Sequence, residues 1–221
     1  MKLDRSYRAY HTWKTLHCAG EGSAIPEEAL YLIIDYFERR GQKEYASITE
    51  TSLDAYFRTH EWCKIRGEDI FYDGELVGIA LGVQERGERV KTGVNQGVVL
   101  DSPYLRSIWA SMKQSKLPHE LVFASSATGF KQAWEEAKRA LHLEWIGPEH
   151  RMRHAGAARD IERGTRSLEQ IRRRGRWRCL DSVQRYTKTW LLIRARGLMT
   201  AAQREAGSAI AARRPPRDIR E

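Results

Sequence analysis

Cysteine is scarce in this chain of 221 residues. Its three thiols, Cys18, Cys63 and Cys179, are odd in number and far apart. That pattern does not form a disulfide framework and reads as buried or idle thiols in a reducing compartment. His17 adjoins Cys18, but no second pair stands at ligand spacing, so no zinc site is expected. No apolar run approaches the ~20 residues that a membrane-spanning helix needs. The opening Met1-Lys2-Leu3-Asp4-Arg5 leads into no hydrophobic signal region. These absences predict an intracellular protein with no membrane partner. No internal repeat is present.

What is abundant is positive charge, and it is unevenly placed. The hydrophobic fraction of 41% is modest but sufficient for a core, and the net charge is +9. From Pro148 onward there are nineteen Lys/Arg against eight Asp/Glu, a balance of +11, so the first 147 residues carry −2. An arginine-rich half beside a near-neutral one fits a nucleic-acid partner. The alternative is a solvated basic face.

The chain divides into a lead-in over 1–25, a principal domain over 26–196, and a C-terminal helix with a basic tail over 197–221. Pro26-Glu27-Glu28 predicts a helix start, with proline in the first turn and acids at the positive dipole end. Its apolar stripe of Leu30, Ile33, Ile34 and Phe37 runs to Gly41. A second helix is predicted from Thr51-Ser52 to about Ile65. Between 69 and 100 the period changes. Ile70–Tyr72, Leu76–Leu81 and Val98–Leu100 read as short strands separated by turns at Asp73-Gly74 and around Lys91-Thr92-Gly93. Asp101-Ser102-Pro103 caps the next helix, and further helices are predicted near 129–141, 149–163, 167–174 and 179–196. Ordered structure is expected to end at Arg213-Arg214-Pro215-Pro216. The fold class is mainly α with a small antiparallel β-sheet.

The residues that suggest chemistry sit late in the chain. His150 and Arg153 are three apart and share one helix face. Trp177 lies nine residues before Tyr186, and the surroundings are cationic. Such side chains suit attack on a phosphodiester.

With these elements in place the chain resembles the catalytic domain of the tyrosine recombinases, the phage-integrase family of DNA strand-exchange enzymes. The resemblance spans roughly 26 to 195. Pro148-Glu149-His150-Arg151-Met152-Arg153-His154, followed by small residues, resembles the family's His-x-x-Arg box. Gly164-Thr165-Arg166-Ser167-Leu168 resembles the start of the next helix. Trp177 falls at the His-or-Trp position, and Val183-Gln184-Arg185-Tyr186-Thr187 carries the nucleophile position. Upstream, Arg58-Thr59-His60-Glu61 resembles the first arginine box, and Lys91 stands where the family keeps a hairpin lysine. The loop over 83–89 is longer than the family pattern. The family also carries a separate helical DNA-clamping domain before the catalytic one, and here only some 25 residues precede the first helix.

The resemblance implies a role for each. Tyr186 would attack phosphorus, leaving a 3′-phosphotyrosine and a free 5′-hydroxyl. Arg58 and Arg153 would grip the non-bridging oxygens with permanently charged, forked guanidiniums; Arg58 could equally pair with Glu61, which would then orient the fork. Lys91 would protonate the leaving oxygen, or be an ordinary exposed turn lysine. His150 would take the tyrosine proton or hold the phosphate, or else be a core or capping residue. Trp177 offers only its indole N–H, and His154 stands behind these groups. Arg172, Arg173, Arg174, Arg176 and Arg178 would meet backbone phosphates of double-stranded DNA without reading sequence, or form a solvated helix end. No metal and no cofactor is implied. Family members form tetramers by passing a C-terminal helix to a neighbour, a role open to Leu191, Leu192, Ile193 and Leu198; packing on its own domain is the alternative. The implied activity is site-specific DNA strand exchange. An inactive DNA-binding remnant and a type IB topoisomerase-like relaxing enzyme are the other readings.

Overall fold

Two acids at the positive dipole end and Arg39 in the last turn frame the first helix, α1 (Glu27–Arg39). It belongs to a computed structural model that describes residues 25–88, 93, 95–184 and 189–219. Leu30, Ile33, Ile34 and Phe37 are fully buried along its inner face, as their spacing predicts. Gly41, at φ 72°, ends the turn.

The second helix departs from expectation. It runs as α2 (Lys43–Ala55), followed by the short α3 (Thr59–Trp62), rather than continuously from 51 to 65. The cause is a buried face that is mostly polar: Ser47, Thr49, Glu50, Thr51, Ser52 and Asp54 lie inside beside Ile48 and Leu53. Hydrophobic periodicity cannot register such a face. The polar groups find partners instead; the Trp109 indole donates to Thr51 Oγ1 at 3.0 Å. The break comes at Tyr56, left-handed at φ 54°, whose hydroxyl donates to Asp160 at 2.6 Å.

A 3-10 turn (Gly67–Asp69) leads into the expected antiparallel sheet, with β1 (Ile70–Asp73), β2 (Leu76–Leu81) and β3 (Gln96–Val99) in that order. Ile70 pairs with Ile79 and Ile79 with Val98, so these three buried side chains share the inner face. Ser102 caps α4 (Pro103–Ser115) by accepting from Leu105 N, with Pro103 in the first turn. α5 (Ala127–Ala140) completes the first half. Trp62, Trp109, Phe123 and Phe130 interlock edge to face at its centre, with ring centroids 5.6–6.0 Å apart.

The second half begins with a 3-10 turn (Glu149–Arg151) and α6 (Met152–Glu162). α6 crosses α2 closely: a Cβ on Gly156 would collide with the Leu53 carbonyl and the Tyr56 ring. This crossing sets Arg153 beside the segment that carries Arg58. Then follow α7 (Leu168–Arg174), α8 (Asp181–Gln184), α9 (Thr189–Gly197) and α10 (Ala201–Ala212). The predicted helix over 179–196 falls partly outside the described residues. α10 packs on α1 of the same chain, and Gly207 admits the Glu28 backbone where any Cβ would clash.

The basic tail does not end ordered structure at Arg213–Pro216. Arg214 pairs with Glu38 and Glu50 at 2.6 and 3.1 Å. Arg217 reaches Asp54, Asp101 and Asp160 at 2.9, 2.7 and 2.5 Å. Buried carboxylates distant in sequence draw the tail onto the domain, and nothing local to the tail announces them. No described helix is long and apolar enough to cross a membrane.

Candidate active site

The C-terminal turn of α7 gathers the cationic side chains. Gly175, Arg176 and Trp177 follow the helix, and the carbonyls from 174 to 177 all face arginines. Arg153 Nη2 donates to Gly175 O. Arg58 Nη2 donates to Arg176 O at 3.0 Å. Arg172 Nη1 donates to Trp177 O at 3.1 Å, and Arg176 Nη1 to Arg174 O at 2.8 Å. Two consecutive peptide carbonyls thus hold the guanidiniums of Arg58 and Arg153, whose positions are 95 residues apart in sequence.

Arg153 is buried, and its guanidinium carbon lies 4.5 Å from the Trp177 ring centroid. Trp177 is half-buried between the Tyr56 ring at 6.0 Å and the His154 ring at 6.3 Å. A Cβ on Gly175 would overlap the Trp177 ring, so glycine there lets the indole fold back over the helix end. Arg58 caps α3 and ion-pairs with Glu61 at 2.6 Å. Glu61 also accepts the Arg58 backbone N–H at 2.7 Å. Burial pushes the Glu61 carboxyl up, but Arg176 and the bonds from Arg58 outweigh it and hold the carboxyl below its ordinary value.

The structure therefore brings together Arg58, Glu61, Arg153, His154 and Trp177. His150 lies exposed in the 3-10 turn one helical turn before Arg153. Lys91 and Tyr186 lie outside the described residues. Among the arginines expected to face DNA, Arg173 and Arg178 are exposed and Arg172 is half-buried against Glu169 at 2.7 Å. Arg174 and Arg176 are withdrawn from that surface. Arg174 reaches Asp101 at 2.9 Å and the Asp54 carbonyl at 3.0 Å; Arg176 pairs with Glu61 at 2.8 Å. The reason is buried carboxylate in the interior, Asp54, Asp101 and Glu61, which holds these two guanidiniums as ion-pair partners. Arg176 was expected to face DNA, and its inward role was not foreseen because a run of arginines carries no mark of which members turn inward. Its one signal is position, directly after a glycine at a helix end.

Among the described residues no group of three or more His, Cys, Asp and Glu could hold a metal ion. What the cluster can do is bind an anion with several oxygens, since guanidiniums fixed by main-chain carbonyls keep further N–H donors in a preset fork.

Residues 24–190 match the Phage integrase family. Among solved structures, the chain is similar to XerA recombinase with a TM-score of 0.58 and 12% identity, over 87% of this chain and 65% of that one. It is similar to XerH site-specific recombinase bound to its difH substrate in a pre-cleavage complex, with a TM-score of 0.58 and 12% identity, over 75% and 50% of the two chains. A post-cleavage complex of XerH with palindromic difH gives 0.58 and 14%, over 77% and 51%. This chain thus spans about two-thirds of XerA and half of XerH. A search of curated proteins finds no match. With most of its length matched by the family and its helices and three-stranded sheet arranged as in tyrosine recombinase catalytic domains, the chain belongs to the phage integrase family.

Proposed function

We propose that this chain cuts and rejoins double-stranded DNA in site-specific recombination, through Tyr186. The observation that carries the reading is the pair of consecutive carbonyls, Gly175 O and Arg176 O, to which Arg153 and Arg58 are tied. A scissile phosphate seated against these two forks has its non-bridging oxygens held as charge accumulates on them. The Tyr186 phenol, losing its proton to His150, forms the bond to phosphorus. The bond to the 5′-oxygen breaks, and Lys91 supplies that oxygen with a proton. The phosphodiester is conserved as a phosphotyrosine, so a 5′-hydroxyl from another strand reverses the step without an external energy source. Trp177 donates its indole N–H to a phosphate oxygen and packs over Arg153, while Glu61 and His154 support Arg58 and Trp177. Arg172, Arg173 and Arg178 run along the DNA backbone. Trp190 and Ile193 on α9, 57% and 66% exposed, offer an apolar face that a neighbouring copy in a tetramer would cover.

A nicked duplex whose cleaved fragment diffuses away tests the reading. The expected result is a covalent protein–DNA adduct that disappears in Tyr186→Phe. A gel shift with no adduct from either protein would overturn the catalytic reading and leave a DNA-binding remnant. Relaxation of supercoiled plasmid by single molecules would transfer the chemistry to a topoisomerase-like activity.

A further inference from the structure

Arg176 adopts φ 54°, the left-handed region in which a side chain is disfavoured and glycine is at ease. A non-glycine residue persists there only when its surroundings over-determine it. Here they do. The side chain is 4% exposed, donates to the Tyr56 and Arg174 carbonyls at 3.0 and 2.8 Å, and pairs with Glu61 at 2.8 Å. Arg58 pairs with the same carboxylate at 2.6 Å and donates its other terminal nitrogen to the Arg176 carbonyl.

Glu61 is therefore shared. With a single guanidinium beside it, the buried carboxylate would neutralise Arg58 and draw it inward. With two, the trio keeps one net positive charge, and Arg58 presents it. We infer that Arg176 is a positioning residue for Arg58: its side chain satisfies Glu61 while its carbonyl fixes the fork. The inference rests on the proposed role of Arg58 in gripping phosphate, and deepens it.

Arg176→Gly is the informative variant, because it suits the backbone, retains the carbonyl and removes the side chain that reaches Glu61. Adduct formation at saturating nicked duplex should slow roughly 10²-fold, the scale of a small misplacement in an active site, with the DNA dissociation constant raised no more than about tenfold. Arg176→Lys, which keeps a charge against Glu61, should recover part of the rate. In a Glu61→Gln background the same glycine substitution should cost far less, because the carboxylate through which Arg176 acts is gone. Wild-type rate in Arg176→Gly, or an undiminished further loss in the Glu61→Gln background, overturns the inference. Should the glycine variant melt below the assay temperature, Arg176→Lys decides: a folded lysine variant no slower than wild type overturns it, and an intermediate rate supports it.

A separate readout covers the case in which the wild-type chain yields no adduct and the functional reading itself fails. Inorganic phosphate should shift the Arg58 Nε–Hε resonance, identified by its loss in Arg58→Lys, at concentrations about tenfold lower in wild type than in Arg176→Gly. Equal phosphate affinity in the two proteins overturns the inference whatever the catalytic outcome.

Discussion

Arg153 shows how a single side chain is readied for phosphate. Its guanidinium is sandwiched between a carbonyl and an indole face, so little rotamer freedom remains to be lost when substrate arrives. Arg153→Ala should slow adduct formation by roughly 10²–10³-fold, equivalent to about 3–4 kcal/mol of charge stabilisation, while salt-sensitive binding in a gel shift stays near wild type. Equal loss of both would make the residue structural. At this scale much of the cluster was legible in the sequence. Arg58 with Glu61, and Arg153 with His154 and Trp177, sit in local patterns whose spacing survives as geometry. Arg174 and Arg176 were not legible, because their partners Asp54, Asp101 and Glu61 lie more than seventy residues upstream. Nothing within a helical turn separates an inward arginine from a solvated one.

Among elements, the crossing of α6 over α2 governs the site, since α6 carries Arg153 and α2 ends three residues before Arg58. Gly156 makes the crossing close; a Cβ there would stand 2.7 Å from Tyr56 ring carbons and closer still to the Leu53 carbonyl. Gly156→Ala should force the helices apart at about 1–3 kcal/mol, lowering the melting temperature by roughly 2–10 °C. An unchanged melting curve would mean that the crossing is looser than it stands here. The sheet, α1, α4 and the helices around the His-x-x-Arg box could be read from turn residues, caps and apolar period. α2 could not, because its inner face is built from Thr, Ser, Glu and Asp that are hydrogen-bonded or ion-paired after folding, and periodicity counts only apolar residues.

For the molecule as a whole, a buried carboxylate cluster stands beside the apolar core and ties distant segments together. Asp54, Asp101 and Asp160 meet Arg159, Arg166, Arg174 and Arg217, and Tyr56 donates its hydroxyl to Asp160. Burial pushes the Asp160 carboxyl up, but Arg159, Arg217 and the Tyr56 hydroxyl push it back further, to well below the ordinary value. Asp54 is lowered likewise against its burial by Arg174 and Arg217. Folded carboxyls of this kind stay ionised where the unfolded chain has already taken up protons. Their stabilisation is therefore complete above about pH 4, the unfolded range, and is lost as pH falls toward the depressed folded values. Calorimetry should find the melting temperature at pH 3 lower than at pH 5 by roughly 10 °C; equal values would mean that the cluster contributes nothing.

The tail gives this cluster a timetable. Arg217 trails Asp54 by 163 positions, Asp101 by 116 and Asp160 by 57. At a synthesis rate of about 5–20 residues per second, Asp54 leaves the ribosome roughly 8–30 s before Arg217 can reach it. During that interval, of the described arginines in the cluster, only Arg159, Arg166 and Arg174 can pair with the three acids. Among the described arginines of the cluster Arg217 is the furthest along the sequence, so its three ion pairs are the last of the set that can form during synthesis.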